Sequence, residues 1–306
     1  MINIALLAYP DSSQSALYGW QEMFMLANRA CQEQQLSYEF NCAIISEQEL
    51  AAATTKHFDV LLLPPSQSQD AYLNPSNKLI SLLQQQHQHG AILASACAGC
   101  FILAATNLLN TKTVTTHWAL ASLFCERYPE IELSIDKILI NQGDVITAGG
   151  MMSWLDLGLE VVGQFSQASV MRQLGKILVV DTGQREQRFY QQFIPIFNHG
   201  DSTILSVQQS LQRNFAENTS IKELAQQAYL TERTFLRRFV KATRLKPTQY
   251  IQKLRIQKAC DLLETTKNSF ESIASEVGYQ DASACRKLFI KIMGLTPSEF
   301  RKRFTH

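Results

Sequence analysis

Two stretches near the C-terminal end share one plan, and nothing else in the chain so narrows what it can fold into. The later stretch, IASEVGYQDASACRKLFIKIMGLTPSEFRKRF from Ile273 to Phe304, reads as a short helix, a tight turn at Gly278 and a second helix. Gly278 supplies the positive φ such a turn needs, and Asp281 can cap the second helix with its side-chain oxygen. Phe289 and Ile292, with Cys285 a turn earlier, form an inward stripe, while Ser283, Arg286, Lys287 and Ile290 fall on another face. The earlier stretch, IKELAQQAYLTERTFLRRFVKAT from Ile221 to Thr243, repeats the plan about fifty residues upstream. Ile221, Leu224, Ala225 and Ala228 make the apolar face of its first helix. Thr231 caps its second helix, and Glu232 complements the positive end of that helix's dipole. Phe235 and Phe239 face inward; Arg233, Leu236, Arg237 and Lys241 share the outward side. Each stretch is built as a helix-turn-helix, and a tandem pair is a far stronger signal than one copy.

Between the copies, PTQYIQKLRIQKACDLLE starts with Pro247 at a first-turn position and runs unbroken to Glu264. Tyr250, Leu254, Leu262 and Leu263 would pack it against both units. At about 1.5 Å per residue the helix is roughly 25 Å long. That length suits two recognition helices held near one DNA turn apart.

The region from about Ser206 to Phe304 resembles an AraC/XylS-type DNA-binding domain. The resemblance rests on Leu224-Ala225, the Phe235-x-Arg237-x-Phe239 run, Pro247, Tyr250, Arg255, Ala259 and Leu263, then Ile273-Ala274, Val277-Gly278-Tyr279, Ser283, Phe289, Gly294, Pro297 and Phe300-Arg301, at gapless spacing. Three positions depart from it. Arg244 stands where the family has the glycine that ends the first recognition helix, so that cap would be strained or rebuilt. Cys285 replaces an aromatic residue and Lys287 an arginine, which would loosen packing and blunt base reading in the second unit, because lysine lacks the bidentate fork. The resemblance implies double-stranded DNA, read at paired major-groove sites, and RNA polymerase as partners. On that basis Arg233, Leu236 and Arg237 are expected to read bases in one groove and Ser283, Arg286 and Lys287 in the next, with Lys241 and Lys291 on phosphates.

Charge divides along the same line. Residues 1–200 carry 10 Lys and Arg against 17 Asp and Glu, whereas residues 201–306 carry 18 against 10. Phosphate contacts are therefore expected from the C-terminal part alone. The 306 residues suffice for two domains: 1–185, a linker at 186–205, and 206–306 with the tandem helix-turn-helix. No run of eighteen apolar residues suggests a membrane span, and MINIALLAYP lacks a basic leader. Seven scattered cysteines fit free thiols in a reducing cytoplasm.

The N-terminal two-thirds alternates strands and helices. Strands are expected at Ile2–Ala8, Tyr38–Ile45, Val60–Leu63, Ala91–Ser95, Thr113–Thr116 and Val145–Ala148. Helices are expected at 19–34, Asn77–His89, from near Ala98, at Ala119–Arg127 and at Ser153–Phe165. This is the pattern of an α/β fold, a flavodoxin-like parallel sheet with helices on both faces, followed by an all-α C-terminal domain. Ligands in such sheets bind beyond the carboxyl ends of the strands.

In ILASACAGCFILAA, Cys97 stands among small residues where a buried strand turns into a helix, the setting of a nucleophile elbow. Cys97-Ala-Gly-Cys100 lacks the second pair or neighbouring histidines of a metal site, and neither a metal nor a cofactor is expected. Ala96-Cys97-Ala98-Gly99 and Thr116-His117-Trp118 resemble the PfpI-type group of the class I glutamine amidotransferase-like superfamily. More narrowly, they resemble the amidase-like sensor domains fused to AraC-type DNA-binding domains. Glu22, Ala27-Asn28, Gly149-Gly150 and Asp156 fit the same pattern. The resemblance implies a pocket at Cys97, His117, Glu22 and Gly150, a small nitrogenous metabolite as effector, and a homodimer. An aromatic cage from Trp118, Trp154 or Tyr18 is equally a set of core residues. The alternative is a cysteine-dependent hydrolase or hydratase, or a redox-sensing repressor acting through Cys97. Catalysis would need His117 as base and an acid to orient it, yet Ala16 occupies the place where catalytic relatives carry that acid. A non-enzymatic sensor is the expectation.

Overall fold

The computed structural model describes residues 1–183 and 186–305. The chain divides into two units, Met1–Gln187 and Arg188–His306. The domain boundary expected at 185 falls on Gln184 and Arg185, outside the described residues.

In the first unit the order is β1 Ile2–Ala8, α1 Gln14–Glu33, β2 Phe40–Ser46, α2 Leu50–Ala53, β3 Val60–Leu63, α3 Gln69–Leu73, α4 Asn77–Gln88 and β4 Ile92–Ala96. It continues with α5 Gly99–Ala105, β5 Thr113–Val114, α6 Ala121–Arg127, β6 Glu132–Leu133, β7 Leu139–Asn141, β8 Val145–Ala148, α7 Trp154–Phe165 and α8 Ala168–Leu178. A six-stranded sheet runs β2-β1-β3-β4-β8-β7. Its pairings are parallel except for β7, which lies antiparallel on β8.

Strand alternation splits the core between the two faces. Ile4, Leu6, Val60, Leu62, Ala94 and Ala96 point to the side covered by α1, α7 and α8. Ala5, Leu7, Leu61, Leu63 and Leu93 point to the side covered by α2–α6. At about 1.5–3 kcal/mol for each large aliphatic side chain buried, these two layers supply most of the drive to fold.

Helix α1 begins five residues before the expected start at Gly19, because Ser13 caps it by accepting from the Ala16 amide at 3.3 Å. Gly19 is present for packing, since a Cβ there would meet the Trp154 ring at 2.3 Å. Trp20 and Trp154 cross edge to face at 6.3 Å, and Trp20 Nε1 donates to the Trp154 carbonyl at 2.8 Å. The β7–β8 hairpin, which turns at Gly143 (φ +88°), and helix α8 were not foreseen.

The second unit is helical: α9 Ser202–Arg213, α10 Ile221–Gln227, α11 Glu232–Thr243, α12 Pro247–Thr265, α13 Phe270–Glu276, α14 Ala282–Met293 and α15 Pro297–Phe304. Two cores meet along α12. Tyr250 and Leu254 join Phe235 and Phe239 in one, while Ile256, Ala259, Cys260 and Leu263 join Phe289 and Phe300 in the other.

The two helix-turn-helix units correspond cap for cap. Ser220 and Ser269 cap the first helices, and Thr231 and Asp281 cap the second. Left-handed residues occupy the turns, Tyr229 (φ +54°) and Gly278 (φ +87°), and the C-caps, Arg244 (φ +60°) and Gly294 (φ +73°). Arg244 thus keeps the glycine conformation and its N–H still bonds the Val240 carbonyl, so the cap is strained and not rebuilt. In the second unit Met293, not Ile292, completes the buried stripe behind Cys285 and Phe289.

Candidate functional site

Strand β4 ends in a strained corner. Cys97 is 3% exposed and adopts φ +54°, a conformation disfavoured for a residue with a Cβ. Its N–H donates to the Ala148 carbonyl at 2.8 Å, and its carbonyl accepts from Thr116 Oγ1 at 2.8 Å. Gly99, which opens α5, leaves no slack beneath: a Cβ would lie 3.0 Å from the Leu63 carbonyl oxygen. Cys97 Sγ lies 3.8 Å from Met151 Sδ. Burial, outweighing a backbone hydrogen bond at Ala98, pushes the thiol up to about 12. Cys100 and Tyr9 are raised too, by burial first and by Cys97 second. Burial lowers His117, favouring the neutral imidazole, whose Nδ1 accepts from the Ala119 amide at 3.1 Å.

Beside this corner an open cleft of about 590 Å³ lies among the loops that follow β1 and β3. Ser12, Ser13, Gln14, Ser66, Ser68 and Met151 are among its walls. Those loops are tied by the Ser12–Ser66 bridge and by Ser13 N–H donating to the Pro65 carbonyl at 2.7 Å. The cleft therefore sits beyond the carboxyl ends of the strands, as expected for this sheet type. None of the four residues expected to form a pocket is among the described residues lining it. Cys97 lies one contact behind through Met151, and Gly150 (φ +98°) immediately precedes Met151. His117 is joined to Cys97 through Thr116, whereas Glu22 is exposed on α1. Nor do the aromatic residues form a cage: Trp154 is core, Tyr18 is 57% exposed and Trp118 is half-buried beside His117.

On the second unit, Arg233, Leu236, Arg237 and Lys241 all emerge from one side of α11. On α14, Ser283, Arg286, Lys287 and Lys291 are exposed likewise. Arg286 is engaged, however: Nη2 donates to Glu271 Oε1 at 2.8 Å, and the guanidinium lies 5.2 Å over the Phe270 ring. Arg238, not singled out from the sequence, forms a fork with Asp201 at 2.8 and 2.6 Å, tying α11 to the start of α9.

A DJ-1/PfpI family model matches residues 31–164, and a helix-turn-helix domain model matches residues 224–303. The chain joins a DJ-1/PfpI-family domain to an AraC-type helix-turn-helix domain. GbdR of Pseudomonas aeruginosa, an HTH-type transcriptional regulator, is 23% identical over 226 residues, 73% of this chain and 61% of GbdR. ArgR of the same species, also an HTH-type transcriptional regulator, is 27% identical over 227 residues, 72% of this chain and 67% of ArgR. The chain thus spans about three-fifths to two-thirds of the length of these relatives. A solved structure from Vibrio parahaemolyticus shares the fold of the DJ-1/PfpI domain, with TM-score 0.51 at 17% identity over 58% of this chain and 98% of that one.

Sequence reasoning missed two parts of the DJ-1/PfpI domain. The serine-rich cleft rim comes from two loops about fifty residues apart, each ordinary by itself. Gln187, in the stretch read as linker, is 2% exposed and belongs to the domain. In the helix-turn-helix domain, Arg255 was noted only as a match. It proves to be a buried guanidinium bonded to carbonyls of the loop that leads into the first unit and of the turn of the second.

Proposed function

We propose that the chain is a one-component transcriptional regulator. Its helix-turn-helix domain binds double-stranded DNA at paired major-groove sites, and its DJ-1/PfpI domain binds a small nitrogenous metabolite and forms a homodimer. RNA polymerase is the further partner of the DNA-bound form. The observation that carries the reading is the duplicated unit, with α11 and α14 presenting basic side chains from matching positions on either side of α12. Arg233, Leu236 and Arg237 are assigned to bases in the first groove, and Ser283 and Lys287 to the second. Arg286 joins them once Glu271 releases it. Lys241 and Lys291 are assigned to phosphates.

No chemistry is assigned to Cys97. A buried thiol pushed up to about 12 holds its proton at neutral pH. Ala16, fully buried in the first turn of α1, offers no carboxylate to orient a base. Both points favour a pocket that senses over one that hydrolyses. Among the described residues no helix is long and apolar enough to cross a membrane.

A thermal-shift screen against amino acids, amines and betaines tests the sensor half, since a ligand at a hundred times its Kd stabilises by about 2.7 kcal/mol. Duplex selected by the wild-type chain from a random pool tests the other half. Arg237→Ala should lose preference for that duplex while keeping its fold and oligomeric state, and retained preference would refute the assignment.

A further inference from the structure

The last residue of the first unit is held by the loop that carries His117. Gln187 Nε2 donates to the Thr116 carbonyl at 2.9 Å, to Thr115 Oγ1 at 2.9 Å and to the Lys137 carbonyl at 3.1 Å. Its Oε1 accepts from the Trp118 N–H at 3.2 Å, and its own N–H donates to the Asp136 carbonyl at 3.1 Å. The Thr116 carbonyl and the Trp118 N–H belong to the two peptide groups that flank His117. One buried side-chain amide therefore brackets His117, and neither flanking peptide can rotate without breaking a bond to Gln187. Thr116 continues the chain of contacts by donating Oγ1 to the Cys97 carbonyl. Space is closed as well: a Cβ on Gly149 would meet Gln187 Nε2 at 2.3 Å.

After Gln187 the chain enters the second unit almost at once. There Phe189 packs 4.8 Å beneath the Arg303 guanidinium, and Tyr190 meets Phe304 edge to face at 5.5 Å. Gln187 is thus the point at which a rearrangement around His117 would reach the connection between the units.

We infer that Gln187 is a positioning residue that couples the Cys97–His117 corner to the connection leading into the helix-turn-helix domain. The inference rests on the sensor reading of that corner. A group seated against His117 or Cys97 that turns either flanking peptide must break or remake the Gln187 bonds. By linkage, fixing or freeing Gln187 must change the corner by the same factor. The amide is suited to this task because it donates and accepts at once. Neither glutamate, which cannot donate when ionised, nor methionine of similar length can bracket His117.

The test uses the full chain without any metabolite and reads hydrogen–deuterium exchange amide by amide. Thr116→Val removes only the hydroxyl that bonds the Cys97 carbonyl. It should speed exchange of the Gln187 N–H, whose acceptor Asp136 is untouched, by on the order of tenfold, within the usual range of coupling between sites. Gln187→Met should in turn speed exchange of the Cys97 and Thr115 amides, whose acceptors Ala148 and Thr147 are untouched. Amides of β1 and β2 serve as the control, because a general loss of stability would move them too. Unchanged Gln187 exchange in Thr116→Val overturns the coupling. So does a rise in that variant shared equally with β1 and β2. Should Gln187→Met fail to fold, Thr116→Val alone decides. A blank in the metabolite screen would remove the sensor reading and leave this measurement standing, so the two failures are distinguishable.

Discussion

Arg255 Nη1 donates to the Gly278 carbonyl at 3.1 Å, joining the middle of α12 to the turn of the second helix-turn-helix. The same guanidinium donates to the carbonyls of Phe215 at 2.7 Å, Ala216 at 3.3 Å and Glu217 at 2.9 Å, just before the first unit. It also bonds Asn218 Oδ1 at 3.3 Å and lies 5.4 Å over the Tyr279 ring. Arg255 stands between Leu254, in one core, and Ile256, in the other. From one position on α12 its planar fork links the loop that leads into the first unit to the turn of the second.

Arg255→Met should destabilise the helix-turn-helix domain by about 2–3 kcal/mol, since several partly buried carbonyls lose charge-assisted partners together. Arg255→Lys should recover only part of this, because an ammonium cannot span the fork. Equilibrium denaturation of the three proteins checks the order.

Two of the left-handed positions, a C-cap and a turn, give opposite signs. Arg244→Gly should stabilise by about 0.5–1 kcal/mol, relieving a residue that a Cβ makes costly at φ +60°. Gly278→Ala should destabilise strongly, because its Cβ would lie 2.2 Å from the Ala216 carbonyl oxygen, held in place by Arg255. Melting temperatures of the two variants should move in opposite directions.

Much of this was legible in the sequence, and the reasons are local. Caps, turn residues and the Phe235–Phe239 stripe lie within a few positions of one another, so the helix-turn-helix units could be read directly. The corner at Cys97 was legible because small residues crowd one strand end. The start of α1 was not, because Gly19 looks like a helix boundary until Trp154, far along the chain, is seen to fill its missing Cβ. Gln187 was not either: its partners Thr115, Thr116, Trp118 and Lys137 are brought to it by tertiary structure alone.

Acid should weaken the junction of α9 and α11. The hydrogen bonds from Arg238, outweighing burial and aided by the Ile204 amide, hold Asp201 below the usual carboxylate range. A depressed folded-state pKa gives stability that is present above the unfolded value, near 4, and is lost as pH falls through the folded one. Arg238→Met should flatten the fall in stability below pH of about 4, as followed by melting temperature against pH.

Thiol chemistry should separate two cysteines. Cys125 is exposed on α6, whereas Cys97 is buried with its thiol pushed up to about 12. Iodoacetamide at pH of about 8 should label Cys125 first, with Cys97 slower by an order of magnitude or more, as read by peptide mass spectrometry. Rapid labelling of Cys97 at neutral pH would reopen a catalytic or redox role.

The central claim is that two recognition helices, held by α12, read DNA together. Its most direct test is hydroxyl-radical footprinting of the full chain on duplex selected from a random pool. Two protected major-groove segments are expected, centred about 10–10.5 base pairs apart. Arg237→Ala should clear the segment under α11, and Lys287→Ala should weaken the one under α14. Protection of a single groove, or a footprint that neither substitution alters, would contradict the account.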